Sequence, residues 1–351
     1  MREIQELTKT VADGQDLCSE LAGNAASLLA STSVEPAAKE AFLIALHDKG
    51  ETATEVAAFA SAFRALAVDP GVDAWAPRAI DVCGTGGDGS STFNISTAVS
   101  FIVAAAGVPV FKHGNRSITS KCGSADLIEA LGVRLDAPHE VLRESLNTLN
   151  FCFFFAPAFH PAFREIMPVR KALAVSGRRS IFNLLGPLIN PGRPAYQLLG
   201  VFADRWVEPI ANALHTMGLK AGLVAHCTPG VGMALDELSC AGHNHVAGFG
   251  QLKSVRSNLL PEEASLAPCD LDSLRGGDVE GNVGILHALF DGDESVSQGL
   301  LDSILLNAGA AFWIANQAKD LQSGVALARQ MINSGRAKQW LRDVQSFYNQ
   351  V

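Results

Sequence analysis

The stretch from Ile80 to Thr97, IDVCGTGGDGSSTFNIST, constrains the fold of this chain more than any other part of its sequence. Ala79 to Cys83, apolar except for Asp81, is typical of a short buried strand. Glycines, which permit backbone conformations that a Cβ would forbid, follow at Gly84, Gly86, Gly87 and Gly89. A polar cluster and a helix-length apolar run, residues 98–107, come next. We therefore expect a strand, a glycine turn and a helix N-terminus, which together gather backbone N–H groups around a phosphate.

A tight turn followed by a helix N-cap is the alternative interpretation, since Ser, Thr and Asn favour that position. A phosphate site accounts better for an Asp placed among so many glycines. The spacing matches neither a P-loop, which needs Lys followed by Ser or Thr, nor a dinucleotide loop, which needs a third glycine inside the helix. A nucleoside triphosphate or NAD is therefore not the expected ligand.

Composition excludes several classes of protein. A formal net charge of −9 over 351 residues provides no basic surface for nucleic acid or for an anionic membrane. The seven cysteines stand singly, without a C-x-x-C pair, which favours a reducing cytoplasm over a disulfide framework or a zinc site. The first turns carry charged residues that are not typical of a signal peptide. The longest apolar run, Phe101 to Phe111, is too short to span a bilayer.

Hydrophobic spacing divides the chain into two regions. Residues 1–68 carry apolar residues at helical spacing, with Pro36 and Gly50 as the start and stop of one segment. From residue 79, short apolar strands alternate with amphipathic helices, which favours βαβ units and a largely parallel sheet. The predicted strands are Ala79–Cys83, Pro109–Lys112, Phe151–Ala156, Gln197–Phe202 and Gly222–Cys227.

We predict an α/β protein with a small all-helical domain, residues 1–70, and a large α/β domain, residues 78–351, built on a mainly parallel central sheet. Part of residues 162–194 fits the alternation poorly, and we expect it to pack back on the N-terminal helices. Ligands of such sheets bind at the carboxyl ends of the strands, where the Gly84 turn would lie. Helices are expected near the end of the chain, around Leu300–Ala318, Val325–Asn333 and Ala337–Tyr348.

A second polar loop, KHGNRSITSKCGSAD, follows the predicted strand at Pro109–Lys112. It places the cations Lys112, Arg116 and Lys121 close together in an acidic protein, and Ser124 is expected to cap the next helix. A solvated basic loop would have the same composition. Its position after a buried strand, beside the Gly84 turn, favours convergence of the cations on one polyanion. Two such loops suit a ligand with phosphates at both ends.

Two adjacent carboxylates, Asp236 and Glu237, follow the last predicted strand and a glycine-containing turn. Such pairs are common at helix starts, so the pair alone indicates little. Beside a polyphosphate site it predicts Mg²⁺, which is normally held by one or two carboxylates, phosphate oxygens and waters.

The stretch from Phe154 to Leu173 sets His160, Arg164 and Arg170 among aromatic residues and prolines. An apolar wall that carries a few cations suits an aromatic acid as the second ligand. The alternative is a loop whose arginines pair with surface carboxylates, and this alternative is stronger for Arg164 than for Arg170.

Five motifs occur in order along the chain: GTGGDGSSTFNIST, KHGNRSITSKCGSAD, PVRKAL, IFNLLGPLINP and LDELS. In these motifs, and in KGET at Lys49 to Thr52, the chain closely resembles the anthranilate phosphoribosyltransferase family of tryptophan biosynthesis. The resemblance covers nearly the whole chain. It implies a homodimer formed through the helical domains, and a reaction that joins anthranilate to phosphoribosyl pyrophosphate and releases pyrophosphate. It also implies Mg²⁺ as cofactor, with two ions per subunit.

The resemblance implies a role for each matching position. The residues expected to bind phosphoribosyl pyrophosphate are Gly84, Gly87, Asp88, Thr92, Asn94, Ser96, Thr97, Lys112, Ser120 and Ser124. The expected metal residues are Ser96, Asp236 and Glu237. The expected anthranilate residues are Gly84, Asn115 and Arg170, with His113, Pro157 and His160 along its route. Lys112 and Asp88 are expected to act in catalysis.

Some positions depart from the family pattern. Cys122 stands where a serine is commoner, Ser180 where a threonine is, and Ala234 where a glycine precedes the acidic pair. The turn from Thr228 to Met233 is longer than usual. These differences concern loop packing and metal geometry, and none removes a residue with an implied role.

Two other functions compete with this one. A pyrimidine nucleoside phosphorylase shares the expected fold but binds free phosphate and a nucleoside, and the acidic pair disfavours it. A non-catalytic paralogue that only binds phosphoribosyl pyrophosphate would be expected to lose Asp236, Glu237 or Arg170, which are all present. The sequence shows no nucleophilic Ser or Cys paired with a His. The expected chemistry is therefore positioning and electrostatic stabilisation of the leaving pyrophosphate.

Overall fold

The computed structural model describes residues 2–116 and 121–351. The chain opens with helices α1 (Arg2–Ala12), α2 (Ser19–Ala30), α3 (Pro36–Lys49) and α4 (Ala53–Ala65). Pro36 begins α3, and Gly50 ends it with a φ of +91°, a conformation that favours glycine. Thr52 and Glu55 form a capping box at the start of α4. The predicted small helical region at the N-terminus is confirmed.

Within the described residues, the strands form one mixed sheet of order β3-β2-β1-β4-β5-β6-β7. The strands are β1 (Ile80–Gly84), β2 (Val110–Gly114), β3 (Phe151–Phe155), β4 (Tyr196–Gly200), β5 (Ala221–Thr228), β6 (His243–Gly250) and β7 (Arg256–Leu259). Neighbours from β3 to β5 run parallel, whereas β5–β6 and β6–β7 are antiparallel. The predicted strands and the mainly parallel sheet are confirmed, and β6 and β7 add an antiparallel edge that the sequence pattern does not predict.

Helices connect the strands and close the chain. They are α5 (Ile95–Ala105), α6 (Ser124–Ala130), α7 (His139–Leu149), α8 (Ala156–Phe159), α9 (Met167–Val175), α10 (Phe182–Leu185), α11 (Val207–Thr216), α12 (Val279–Asp291), α13 (Gln298–Ile314), α14 (Leu321–Asn333) and α15 (Arg336–Tyr348). Short 3-10 turns lie at Ala76–Arg78, Pro161–Glu165, Gly186–Ile189, Asp204–Trp206, Pro261–Ala264 and Leu271–Leu274. Over residues 2–116 and 121–351, none of the helices has the length and apolar character needed to cross a membrane.

The parallel strands of the sheet are buried on both faces. On one face α13 is buried around most of its circumference and packs against α5 and α14. The Phe101 ring of α5 contacts the Phe151 and Trp340 rings there, with centroids 5.4 and 5.1 Å apart. On the other face α11 and α4 share an apolar cluster with the strands. Burial on both faces explains why most residues of the parallel strands are apolar.

Residues 161–189 leave the alternation of strands and helices and contact the N-terminal helices. The Lys39 ammonium of α3 donates to the Glu165 carbonyl oxygen at 3.4 Å. The Phe63 ring of α4 meets the Phe163 and Phe182 rings edge to face, each at 5.2 Å between centroids. Aromatic pairs of this geometry stabilise a fold beyond their buried area. These contacts hold the segment that carries α9 against α3 and α4.

The carboxyl ends of β1 and β4 are covered by the segment that carries Asp236. After β5 the chain turns back through an antiparallel bridge between Cys227 and Leu235. Gly84 and Gly200, the last residues of β1 and β4, leave the necessary room. A Cβ at Gly84 would overlap the Asp236 carboxylate, and a Cβ at Gly200 would overlap the Asp236 carbonyl oxygen. The two glycines therefore determine where the acidic pair lies.

Gly200→Ala tests this contact. The added methyl group would overlap main-chain atoms, which cannot move aside as a side chain can, so we expect the free energy of unfolding to fall by at least about 3 kcal/mol. Gly23→Ala in α2 is the control, because a Cβ there meets nothing within 4 Å and alanine should stabilise the helix by up to about 1 kcal/mol. Urea unfolding followed by circular dichroism measures both changes. A Gly200→Ala variant as stable as the parent would show that the acidic segment does not rest on β4.

Candidate functional site

The glycine loop between β1 and α5 has the backbone conformation that its sequence predicts. Positive φ angles, in the left-handed region that favours glycine, occur at Gly86 (+71°), Gly87 (+79°) and Gly89 (+76°). Thr85 fixes the start of the loop to the end of β4. Its N–H donates to the Gly200 carbonyl oxygen, and its hydroxyl oxygen accepts from the Phe202 N–H, each at 3.0 Å. The exposed glycines beyond it leave their peptide groups accessible to a ligand.

Lys112 of β2 supplies a buried cation to the site, with 1% of its surface exposed. Its ammonium donates to the Val82 carbonyl oxygen at 2.6 Å and to the Ser96 hydroxyl, in the first turn of α5, at 3.1 Å. Burial lowers the pKa of Lys112, and the carboxylates of Asp81 and Glu237 oppose that shift. Lys112, at the start of the second polar loop, therefore contacts α5, the helix that follows the glycine loop.

The acidic pair lies beside the glycine loop. Asp236 Oδ2 accepts from the Gly86 N–H at 2.5 Å. Burial, followed by repulsion from Asp88, raises the pKa of Asp236, and burial, followed by repulsion from Asp236, raises the pKa of Glu237. Glu237 Oε2 is buried and has no hydrogen-bond partner among the described residues. Lys112 compensates the charge of this pair only in part, and a divalent cation would fit the carboxylates.

The protein alone does not complete a metal site. Within residues 2–116 and 121–351, no group of at least 3 His, Cys, Asp or Glu side chains is arranged to hold a metal ion. A cation at the acidic pair would therefore take its other ligands from phosphate oxygens and water, which is the usual coordination of Mg²⁺ beside a bound phosphate.

Local hydrogen bonds place the middle of the glycine loop. Asp88 accepts from the Ser90 N–H at 3.2 Å and from the Ser90 hydroxyl at 2.5 Å. Thr92 forms an isolated antiparallel bridge with Arg275. These contacts stabilise the loop, and the roles of Asp88 and Thr92 toward a ligand stay predictions.

Asn94 connects the two loops. Its amide donates to the Cys122 carbonyl oxygen at 3.1 Å, and its side-chain oxygen accepts from Asn282 at 2.8 Å. Thr97 is fully buried, and its hydroxyl has no hydrogen-bond partner in the described part of the chain. Contacts of Asn94 and Thr97 with a ligand stay predictions.

The second loop is only partly described. The structure describes it up to Arg116 and again from Lys121, so the predicted donor residue Ser120 lies outside the described residues. Asn115 is exposed, and its carbonyl oxygen accepts from the Ser124 hydroxyl at 3.4 Å. The prediction that Ser124 caps α6 is wrong, because Gly123 occupies the N-cap position and Ser124 is the first helical residue.

Arg116 pairs with carboxylates of α6, which gives no support to its predicted convergence with Lys112 and Lys121 on a polyanion, and that convergence stays a prediction. Its guanidinium donates to the two carboxylate oxygens of Glu129 at 2.7 and 2.9 Å and to Asp126 at 3.0 Å. Both carboxylates lie on α6, three residues apart and therefore on one helix face. These two carboxylates are the partners of the Arg116 guanidinium in this structure.

His113 of β2 and His160 form a buried pair with 3.1 Å between their Nε2 atoms. Burial, with His160 next to it, lowers the pKa of His113 to about 3, and burial lowers the pKa of His160 to about 4. Both rings are therefore neutral at neutral pH, and one donates to the other. Pro157, predicted on the same route, is exposed in α8.

Arg170 of α9 lies against aromatic rings. Its Cζ is 5.9 Å from the centroid of Phe163 and 5.8 Å from that of Phe182, and its Nη1 is 3.9 Å from the Met167 sulfur. Burial lowers the pKa of Arg170, and no carboxylate of the described residues pairs with it. The alternative of a surface ion pair therefore does not hold for Arg170. Its guanidinium retains the planar set of donors that matches a carboxylate.

Arg179 is a residue that the sequence reasoning missed. Its Nη2 donates to the Gly87 carbonyl oxygen at 3.0 Å, and its Cζ lies 3.9 Å from the centroid of the Phe202 ring. The contact joins positions 92 residues apart in the sequence. The only local signal is the pair Arg178-Arg179 directly before the IFNLLGPLINP motif.

Two parts of the chain match known protein families. Residues 76–338 match the glycosyl transferase family, a/b domain, and residues 5–67 match the glycosyl transferase family, helical bundle domain. An anthranilate phosphoribosyltransferase of Desulfatibacillum aliphaticivorans is 42% identical over 334 residues, which cover 95% of each chain. An anthranilate phosphoribosyltransferase of Chloroflexus aurantiacus is 41% identical over 342 residues, which cover 97% of each chain.

Solved structures share the architecture. The crystal structure of anthranilate phosphoribosyltransferase from Thermus thermophilus has a TM-score of 0.86 and 40% identity, and the match covers 98% of this chain and 99% of that one. Anthranilate phosphoribosyltransferase from Saccharomyces cerevisiae, in complex with phosphoribosyl pyrophosphate and Mg, has a TM-score of 0.81 and 23% identity, with 99% and 98% covered. The yeast likeness shows the fold alone. The predicted fold class, a small helical domain joined to a large α/β domain, is confirmed.

Stability toward acid tests the buried histidine pair. An unfolded histidine binds a proton near pH 6.5, whereas folded His160 does so near pH 4, so the folded state loses stability as the pH falls from 6.5 to 4. At roughly pH 5 this loss is about 2 kcal/mol for each such histidine, at about 1.4 kcal/mol per pH unit. His160→Gln should therefore reduce the fall in unfolding free energy between about pH 7 and pH 5 by about 2 kcal/mol.

Urea unfolding at the two pH values measures the effect. His215→Gln is the matched control for the loss of an imidazole, because His215 is exposed on α11. If the His160→Gln variant loses as much stability in acid as the parent does, the result would show that the folded parent binds a proton at His160 within this pH range.

Proposed function

The chain belongs to the anthranilate phosphoribosyltransferase family, and on this premise we propose that it transfers the 5-phosphoribosyl group of phosphoribosyl pyrophosphate to the amine of anthranilate. The products are N-(5-phosphoribosyl)anthranilate and pyrophosphate, and the reaction is the second step of tryptophan biosynthesis from chorismate. The enzyme is a glycosyltransferase that transfers a pentosyl group. One observation carries the proposal: Lys112, the first turn of α5 and the acidic pair meet at the carboxyl ends of neighbouring strands.

The donor, phosphoribosyl pyrophosphate, is assigned to the two loops at the ends of β1 and β2. Lys112 supports this assignment because two N–H groups of its ammonium are bonded within the protein. Within the described part of the chain, its third N–H remains for a phosphate oxygen. The proposed donor residues are Gly84, Gly87, Asp88, Thr92, Asn94, Ser96, Thr97, Lys112, Ser120 and Ser124.

Mg²⁺ is assigned to Ser96, Asp236 and Glu237, with two ions per subunit as the proposed number. The buried, unpartnered oxygen of Glu237 and the raised pKa of Asp236 support a cation at this place. When bound, the metal supplies positive charge to the leaving pyrophosphate.

Catalysis by the chain itself is electrostatic and geometric in this proposal. As the bond from the ribosyl C1 to pyrophosphate breaks, the sugar gains oxocarbenium character and the leaving group gains negative charge. Lys112 stabilises that charge from a buried position, where electrostatic attraction is weakly screened. Asp88 lies next to Asp236, and we assign it to orienting the donor against the acidic pair.

Anthranilate is assigned to the side of the site that α8 and α9 provide. The proposed residues are Gly84, Asn115 and Arg170, with His113, Pro157 and His160 along the route. Arg170 supports the assignment, since its guanidinium rests on aromatic rings and can meet a carboxylate with two parallel hydrogen bonds. The two buried histidines are neutral and therefore add no positive charge beside Arg170.

The domain division and the assembly also belong to the proposal. Residues 1–70, with part of 162–194, form a helical domain through which two subunits associate, and residues 78–351 form the catalytic domain of a cytoplasmic enzyme. The contacts of Lys39 and Phe63 with the segment after β3 support including that segment in the helical domain.

Anthranilate fluorescence tests the reaction directly. Purified protein with Mg²⁺ and phosphoribosyl pyrophosphate should consume anthranilate, and omission of either the metal or the donor should stop the reaction. A phosphorolysis assay with pyrimidine nucleosides on the same preparation should be negative. Constant fluorescence under the complete conditions, with protein that circular dichroism shows to be folded, would contradict the proposed function.

Arg170→Ala separates acceptor recognition from donor recognition. A charge-assisted hydrogen bond contributes about 1.5–3 kcal/mol, so kcat/KM for anthranilate should fall at least about tenfold. The calorimetric Kd of phosphoribosyl pyrophosphate should not change. Arg170→Lys should restore only part of the loss, because a point charge cannot reproduce the planar fork.

The exposed Arg164 supplies a matched control, since Arg164→Ala removes an arginine of the same segment that has no assigned role. Its steady-state parameters for both substrates should equal those of the parent. Loss of donor binding in Arg170→Ala, with an unchanged KM for anthranilate, would show that Arg170 serves the donor.

A further inference from the structure

Arg179 lies between the two halves of the proposed site. It follows α9, which carries Arg170, and its guanidinium donates to the Gly87 carbonyl oxygen of the glycine loop at 3.0 Å. Its side chain is exposed and pairs with no carboxylate of residues 2–116 or 121–351. The segment assigned to anthranilate therefore holds the loop assigned to phosphoribosyl pyrophosphate.

The contact fixes the direction of one peptide group. In a trans peptide the C=O and the N–H point in opposite directions. A Gly87 carbonyl oxygen bonded to Arg179 therefore turns the Asp88 N–H to the other side of the loop. Gly87 has a φ of +79°, and glycine lacks the Cβ that would restrict other orientations. A contact from outside the loop is what selects this orientation.

Phe202 holds the guanidinium in place. Its ring centroid is 3.9 Å from the Arg179 Cζ, a distance typical of a cation stacked on an aromatic face. Phe202 is itself buried, with 8% of its surface exposed, and its N–H donates to the hydroxyl of Thr85, the residue that starts the loop. The contacts thus run from Thr85 through Phe202 and Arg179 back to Gly87.

We propose that Arg179 is a positioning residue for the donor, which holds the Gly87–Asp88 peptide with its N–H toward the phosphates of phosphoribosyl pyrophosphate. The inference rests on the proposed function. Arg179 does not bind the phosphates in this proposal. Its guanidinium stacks on the Phe202 ring and donates a hydrogen bond to the Gly87 carbonyl oxygen, and this bond orients the peptide.

A double-mutant cycle of Arg179 and Phe202 tests the proposal. The measured quantity is the Kd of phosphoribosyl pyrophosphate, from calorimetric titration in the presence of Mg²⁺. Arg179→Ala should raise the donor Kd about three- to tenfold, as expected for the loss of one ordinary hydrogen bond, because Arg179 acts on the donor only through the loop. Phe202→Leu should raise it in the same direction. In the Arg179→Ala background Phe202→Leu should add little, because the ring acts through the guanidinium. The KM for anthranilate at saturating donor should stay within about twofold of the parent value.

Arg178→Ala is the matched control, because the adjacent guanidinium binds Asp48 at the surface at 3.2 Å. It should leave the donor Kd unchanged. Additive effects of Arg179→Ala and Phe202→Leu would overturn the proposal, as would a donor Kd of Arg179→Ala equal to that of the parent.

Calorimetry also separates this inference from the proposed function, since it measures donor binding without turnover. A parent protein that binds the donor but leaves anthranilate unconsumed would contradict the proposed function, and the cycle would still decide the role of Arg179. A parent protein that does not bind the donor would overturn both.

Discussion

The contact of the Asp236 main chain with the last glycines of β1 and β4 is the constraint on which the candidate site depends. Gly84 and Gly200 carry no Cβ, so the segment that returns from β5 can lie directly across the strand ends. Parallel strands in such sheets present their ligands at this edge. The contact therefore brings two buried carboxylates to the start of the glycine loop, where the Gly86 N–H binds Asp236.

Burial disfavours the ionised forms of Asp236 and Glu237. Positive charge within the protein offsets this cost only in part. Lys112 offers positive charge to Glu237 from β2, but it also serves Asp81 and is bonded to Val82 and Ser96. One oxygen of Glu237 remains without a partner among the described residues. Sites of this kind give up stability for function, and in the function proposed above a metal bound to a diphosphate would bring the missing charge.

Much of this arrangement could be predicted from local sequence. Short apolar runs ending in glycine predict β1 and its loop, and the helical region follows from spacing and from the Pro36 and Gly50 boundaries. The strands β6 and β7 could not be predicted in the same way. β6 begins with the polar residues His243-Asn244-His245 before a short apolar part, and β7 spans only Arg256–Leu259, so neither is apolar from its first residue as a buried parallel strand usually is.

The partners of individual cations could not be predicted from residues that are close in the sequence. Arg116 is close to Lys112 in the chain, yet Asp126 and Glu129 on one face of α6 bind it more directly. Arg179 contacts Gly87 across 92 residues, and no periodicity or motif encodes that distance. Charge in a sequence indicates that partners exist, but the fold decides which ones they are.

The central claim is that the acidic pair is completed by Mg²⁺ that binds together with the donor diphosphate. Calorimetric titration of phosphoribosyl pyrophosphate, with Mg²⁺ and with a chelator, into the parent and into an Asp236→Asn, Glu237→Gln double variant measures this most directly. The account predicts that Mg²⁺ strengthens donor binding at least about tenfold in the parent, as an added charge-assisted contact would, and has little effect in the variant. Equal strengthening by Mg²⁺ in both proteins would contradict it.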